Sequence, residues 1–441
     1  MKNFGIWLIR IALVLFVLGL FFGHLASESY RITQPKSGVM GFLSLRPLHV
    51  SSAYLGIITA GLGFVTLIIA KMKTTRFSTF LQYIHFSLWV IALIGIFYSY
   101  FTGDFGGREY WEFNPVWALP IFLSFLVFLV FYLYQIGFSI KWPVYYWMWL
   151  TGIIFFIFTF IENYLWIFPY FRQHFIADMT IQWKVNGSLV GAINQIIYGV
   201  AFYLMEKISG DEKLSYQKLS FAMYFLGMFN LMFNWGHHIY LLPTEKYIHY
   251  IAYAVSMSEW IILIRIFYKW SQQIKENKQF YYFFPYRFLM ASDYWVTINL
   301  TLALFMSIPA INLYTHGTHI TVAHAMGTTI GINTMIILAG VFYFIKPTFN
   351  SAKWRLYGSI AFWIVQITLL LFLISLIGMG IQRAFWQGGL TSESFSKMSS
   401  SSGNWVLIFI ILGTILMFSM ASFFIYIFIQ SWKKNELKID E

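Results

Sequence analysis

The chain has 441 residues, of which 59% are hydrophobic, 22% aromatic and only 10% charged, with a mean hydropathy of +0.67. An ordinary soluble domain carries about 25% charged residues, so composition excludes one. The absence of cysteine excludes disulfides, thiolate metal sites, iron–sulfur clusters and covalent c-type haem on this chain. The formal charge of +12 is better explained by basic loops that set membrane topology than by nucleic acid, and no nucleic-acid partner is expected.

Apolar runs long enough to cross about 30 Å of hydrocarbon recur along the whole chain. Helix is the spanning form, because barrel strands would show short alternating segments. In chain order the spans are predicted near 5–24, 47–70, 83–102, 116–138, 144–168, 184–204, 218–241, 248–268, 289–311, 320–345, 357–381 and 404–430. The first is read as a retained helix, its apolar stretch being too long for a signal peptide. Lys71, Lys73 and Arg76, then Lys269, Lys275, Lys278 and Arg287, then Lys346, Lys353 and Arg355, mark inner loops. Lys433, Lys434 and Lys438 put the C-terminus inside, on the side of the N-terminus. The expected fold class is an all-α membrane protein, a twelve-helix bundle with both termini cytoplasmic. Residues 1–441 form one transmembrane domain, with a flexible outer loop over 382–403, containing TSESFSKMSSSSG, and an inner tail over 431–441.

That topology sorts the ten histidines. His49 opens the second span, His237 and His238 close the seventh, and His324 lies about one turn into the tenth. All four fall at a similar depth near the outer face, where ionisable groups inside a membrane are functional by default. His24, His85, His174 and His249 are read as hydrogen-bonded or interfacial residues. Neighbouring positions on a helix diverge by about 100°, so His237 and His238 can face one metal only at a frayed or bent end. The phrase NWGHHIYLLP supplies one, with Gly236 before the pair and Pro243 after it; a metal site and an interfacial pair both remain open. In HGTHITVAHAMG, His324 and Met326 stand about 200° apart on a helix. One helix can thus serve two flat cofactors, since His and Met are both axial ligands of haem iron; Met326 as a flexible core filler is the alternative.

Six stretches carry a resemblance: RPLHVSS (46–52), GGREYWEFNP (106–115), WKVNGSLVG (183–191), WGHHIYLLP (235–243), SMSEWI (256–261) and NLYTHGTHITVAHAMG (312–327). With them, over nearly its full length, the chain resembles the catalytic subunit of cytochrome c-dependent nitric oxide reductases, in the haem–copper oxidase superfamily. The resemblance implies a low-spin haem b ligated by His49 and, where the family has a second histidine, by Met326. It implies a high-spin haem b on His324, facing a non-haem iron held by three histidines and a glutamate. His237 and His238 match two of those histidines, Gln182 replaces the third, Asn186 replaces the glutamate, and Val190 replaces a second family glutamate. Glu259 matches a further family glutamate. Arg46 and Arg108 match positions near the haem propionates, and Glu109, with Glu112 close by, matches a calcium site.

The implied reaction is reduction of two NO to N2O in the bacterial cell membrane, with the active centre toward the outer side. A membrane-anchored or soluble c-type cytochrome would supply the electrons, since this chain carries no c-type haem of its own. Two other readings follow from the lost acidic groups. One is NO dismutation to N2 and O2, which needs no net electrons or protons. The other is a non-catalytic haem protein that binds NO or passes electrons. Oxygen reduction is disfavoured, because the three histidines and crosslinked tyrosine of cytochrome oxidases find no match.

Overall fold

The structure, a computed structural model, describes residues 4–31, 38, 41–273, 282–346 and 352–433. It is almost wholly helical. The helices are α1 (Phe4–Glu28), α2 (Phe42–Ile69), α3 (Arg76–Thr102), α4 (Ala118–Ile136), α5 (Val144–Glu162), α6 (Pro169–Gln173), α7 (Phe175–Ser209), α8 (Lys218–Phe233) and α9 (Lys246–Gln273). They continue as α10 (Phe283–Ser307), α11 (Pro309–Thr315), α12 (His319–Met326), α13 (Met335–Ile345), α14 (Ala352–Gln387), α15 (Phe395–Ser401) and α16 (Gly403–Lys433). A small antiparallel hairpin, β1 (Phe105–Arg108) and β2 (Trp111–Phe113), follows α3.

Among the described residues, ten of the twelve expected spans are helices long and apolar enough to cross a membrane. The other two, near 218–241 and 248–268, are helical as α8 and α9 but fall short of that length or hydropathy. α8 ends at Phe233 after 16 residues, and a 3-10 turn over Asn234–Ile239 takes over. α9 is long, but Lys246, Glu259, Arg265 and Lys269 are spread along it and dilute its apolar character. Two helices reach into residues 382–403. α14 runs on to Gln387, and Ser394 caps α15 by accepting a hydrogen bond from Lys397 N at 3.3 Å. Residues 434–441 of the expected tail lie outside the described residues.

The chain forms two compact units, one of Met1–Ala12 with Tyr54–Tyr286, the other of Leu13–Ala53 with Arg287–Glu441. In lipid, helices associate by close packing rather than by hydrophobic burial, so small residues mark the contacts. In the first unit α5 and α7 meet this way: a Cβ at Gly152 would lie 2.7 Å from the Ala192 carbonyl, and Trp149 Nε1 donates to the Ile196 carbonyl at 3.1 Å. α3 and α4 are joined by His85, whose Nδ1 is 2.8 Å from Ser124 Oγ. His174 and His249 also find hydrogen-bond partners, on the Tyr170 carbonyl at 2.6 Å and Thr244 Oγ1 at 2.9 Å, as the sequence reading expected. In the second unit Phe288 is fully buried among Phe342, Phe362 and Phe423, tying α10 to α13, α14 and α16.

Candidate functional site

The second unit holds the residues expected to ligate haem. His49 sits in α2, and its Nδ1 is 2.7 Å from the Gly19 carbonyl on α1. That carbonyl can only accept, so Nδ1 carries the proton and Nε2 keeps its lone pair for a metal. Gly23 lies one turn further along α1, and a Cβ there would come 2.5 Å from His49 Nδ1. The two glycines therefore let α1 approach the ring and fix its plane.

His324 and Met326 close α12, a helix started by Thr318, whose side chain accepts from Ile320 N at 3.2 Å. Met326 is directly followed by a π-helical stretch, Gly327–Thr334. Such wide turns are uncommon and often stand at functional sites. Gly327 permits this one, because a Cβ there would collide with Asn299 Oδ1 of α10. His324 Nδ1 is buried without a hydrogen-bond partner. The Asn299 backbone acts on the same ring, and a buried imidazole with one nitrogen still unpaired fits a haem ligand, as does the oriented, free Nε2 of His49. Haem chemistry at these positions would be binding of a diatomic gas on an open iron and one-electron transfer through a six-coordinate one.

In the same unit lie Tyr30, Arg46 and His319. The Tyr30 ring is 6.0 Å from that of His319, and burial raises the Tyr30 hydroxyl while nearby Arg46 pulls it back. His316, in the link between α11 and α12, is held below its ordinary value of 6.5 by burial. A histidine depressed in this way stays neutral in the folded chain while the unfolded chain takes up a proton. Stability is therefore expected to be full above the ordinary histidine range and to fall as pH drops through it. Thermal unfolding of the detergent-solubilised protein on both sides of that range checks this, and His316→Gln should weaken the pH dependence. An identical pH dependence in the variant would assign it to another group.

The first unit carries the other expected ligands. The 3-10 turn over Asn234–Ile239 is the bent helix end that the HH pair required: the His237 and His238 rings lie 4.1 Å apart, tilted by 44°. His237 Nδ1 is 3.0 Å from Asn234 Oδ1, which also accepts a hydrogen bond from Ser256 Oγ of α9. Trp183 of α7 stacks on His238, at 5.4 Å and 11°. Gly187, one turn on from Trp183, admits the close approach of Trp235. On the same helix Gln182 Nε2 donates to Asn186 Oδ1 at 3.2 Å, so these amides spend part of their capacity on each other.

Among the described residues no three His, Cys, Asp or Glu side chains come together as a metal site. Two imidazoles and neutral amides leave the charge of a divalent ion uncompensated. The set of three histidines and a carboxylate that the resemblance implied for iron does not fit these residues. Glu259 falls within α9, but its side chain lies outside the described residues. Glu109 stands in the turn of the β1–β2 hairpin, beside Tyr110, whose φ is 70°. Next to it Arg108 Nη2 is 2.6 Å from Asp178 Oδ2 and lies 5.2 Å from the Trp166 ring. Sequence reasoning missed Asp178 and the Glu162–Lys184 pair at 2.5 Å. Each joins elements distant in the chain, although Lys184 within an apolar span was a visible signal.

A model of the family described as "Cytochrome C and Quinol oxidase polypeptide I" matches residues 3–416. The chain belongs to the haem–copper oxidase subunit I family. It is thus an integral membrane protein of a family of respiratory oxidoreductases that hold haems and a metal centre. One relative, cytochrome c oxidase subunit 1 of Rhodobacter capsulatus, is 24% identical over 80% of this chain and 68% of its own length. A chain from a cryo-EM structure of a haem–copper terminal oxidase dimer superposes with a TM-score of 0.75, at 14% identity, covering 99% of this chain and 86% of that one. At that identity the likeness concerns the fold, and the haem–copper oxidase subunit I fold is what it shows.

Proposed function

We propose that this chain is a haem oxidoreductase of the cell membrane that reduces NO to N2O, with His49 and Met326 holding a low-spin haem b and His324 a high-spin one. The observation that carries the reading is the neighbourhood of His237 and His238. It offers Gln182, Asn186 and Trp183, and among the described residues no third histidine or carboxylate joins the pair as a metal site. Cleaving O2 to water takes four electrons and four protons. Coupling two NO takes only two of each: 2 NO + 2 e⁻ + 2 H⁺ gives N2O and H2O. The smaller demand suits a metal site without a carboxylate.

In this reading electrons arrive from a c-type cytochrome at the outer face and pass through the His49 haem. Arg46 and Arg108 supply positive charge at that face, and a calcium ion at Glu109 belongs to the same reading. A metal on His237 and His238 is held by two imidazoles and an amide, and is weaker than the iron of the reductases. The replacement of the family glutamate by Asn186 also favours a second reading, dismutation of 2 NO to N2 and O2, which balances without electrons or protons.

Isotopically labelled NO given to the purified, haem-loaded protein under anaerobic conditions separates the outcomes by mass spectrometry. N2O that depends on a reduced cytochrome supports the reductase. Donor-independent N2 with O2 replaces it by the dismutase. NO bound and unconverted overturns both and leaves a gas-binding or electron-transfer haem protein.

A further inference from the structure

Asp293 is an acid in the middle of a membrane-spanning helix. It lies ten residues from the start of α10, about 15 Å of helical rise, and is only 7% exposed. Its Oδ2 is buried without a hydrogen-bond partner. Ser292 is the one hydroxyl that reaches the carboxyl, and its Oγ also donates to the Leu289 carbonyl at 2.6 Å, while Thr297 Oγ1 donates to the carbonyl of Asp293 itself at 3.1 Å.

Two contacts fix the register of α10 against the π-helical stretch. Asn299 packs on Gly327 and Trp295 on Gly331. Continuing that antiparallel register by one short step puts Asp293 level with Asn333, followed by Thr334; these are 4% and 2% exposed. A thin polar layer therefore crosses an apolar helix pair at mid-span.

Among the described residues, no cation of this unit stands at that level. On α10 itself Arg287 is six residues earlier and donates to Ser359 Oγ at 3.1 Å, Tyr286 is beside it, and Tyr294 faces outward at 66% exposure. α13 carries Tyr343 near its inner end. α14 has Lys353, Arg355 and Tyr357 at one end and Arg383 near the other, while the Trp295–Gln366 bond at 2.7 Å sets the level of its apolar middle. α16 brings Tyr426 and Lys433, beyond its contact at Phe423. Arg46 and His49 on α2, and His319 and His324 on α12, belong to the outer end. An ionised carboxylate without a cation or a full set of donors is strongly disfavoured away from water, whereas the neutral acid is tolerated.

We propose that Asp293 is a proton-binding site inside the membrane, loaded in the resting protein and responsive to the charge on the haem pocket around His49 and His324. The link to that pocket is a run of hydrogen bonds. Asn299 Nδ2 donates to Thr328 Oγ1 at 2.7 Å, and Thr328 Oγ1 to the His324 carbonyl at 3.2 Å. An electron placed on a haem there adds negative charge above the acid and tightens its hold on the proton. Bulk water supplies that proton when the site is empty. The haem-linked half of the proposal rests on the haem reading given above, and the loaded acid does not.

The test is infrared difference spectroscopy of the full-length, haem-loaded protein, wild type against Asp293→Asn, at neutral pH. The wild type should show a carboxylic-acid C=O band that the variant lacks. Asp293→Glu should restore an acid band at a shifted frequency, which covers the case where the amide variant folds poorly. A carboxylate signal in place of the acid band overturns the proposal. In the same sample, reduction of the haem should shift or intensify the band, and a band indifferent to reduction overturns the haem-linked half. If the optical spectrum shows no low-spin haem, the haem reading fails, while the acid band still decides the protonation of Asp293.

Discussion

His49→Ala is expected, under the ligation proposed above, to remove the low-spin haem almost entirely while leaving the haem on His324 in place. The argument starts from α1. The Gly19 carbonyl fixes Nδ1 of His49 at 2.7 Å, so the ring can offer only Nε2 to iron. Alanine offers nothing at that depth, and no other histidine of α2 can replace it. Gly23→Ala should act through the same ring more weakly, because its Cβ would press on Nδ1 at 2.5 Å. Partial loss and a broadened low-spin signal are the expected result. Met326→His should keep the haem low-spin and lower its potential, since methionine ligation raises the potential relative to bis-histidine. Haem stoichiometry, electron paramagnetic resonance and a redox titration read all three variants. A full low-spin signal in His49→Ala would remove His49 from the site, and an unchanged potential in Met326→His would remove Met326.

The fold was legible because it is written in composition. Runs of Leu, Ile, Phe and Val that exceed the bilayer thickness can do little except span it, and ten such runs appear as helices. The rest was hidden for local reasons. α8 stops short because the chain tightens into a 3-10 turn at Asn234, and nothing in LMFNWGHH marks that residue as the break except the need to aim two histidines together. α9 carries charges of both signs, which its length conceals. At the candidate site the bent end that brings His237 beside His238 was readable from Gly236 and Pro243, whereas the stacking of Trp183 on His238 and the Gln182–Asn186 bond follow from helix packing and side-chain rotation. Asp178 was invisible as a partner of Arg108 because 70 residues separate them. Asp293 was readable, being an acid in an apolar span, but a single carboxylate forms no motif and the metal pattern drew attention elsewhere.

Gly107→Ala is expected to be the most damaging single methyl in the β1–β2 hairpin. A Cβ at Gly107 would overlap the backbone carbonyl of Trp111, and neither atom can turn away, because Arg108 pairs with Trp111 across the hairpin. Relief requires the strands to part. Overpacking of a fixed backbone costs about 1–3 kcal/mol, occasionally more, and here the loss spreads. Trp111 is 1% exposed and packs edge-on against Tyr54 at 5.4 Å and Phe160 at 5.0 Å, so a parted hairpin draws an indole out of the first unit. Arg108→Ala tests the competing idea that charge holds the hairpin down. Its bond to Asp178 is short, but the two side chains are 33% and 19% exposed, and pairs this open to solvent contribute about 0–1 kcal/mol. Thermal unfolding in detergent should therefore rank Gly107→Ala well below Arg108→Ala. The reverse order would mean that the Arg108–Asp178 pair, with Trp166 against its guanidinium, is shielded from water and anchors the outer hairpin by charge.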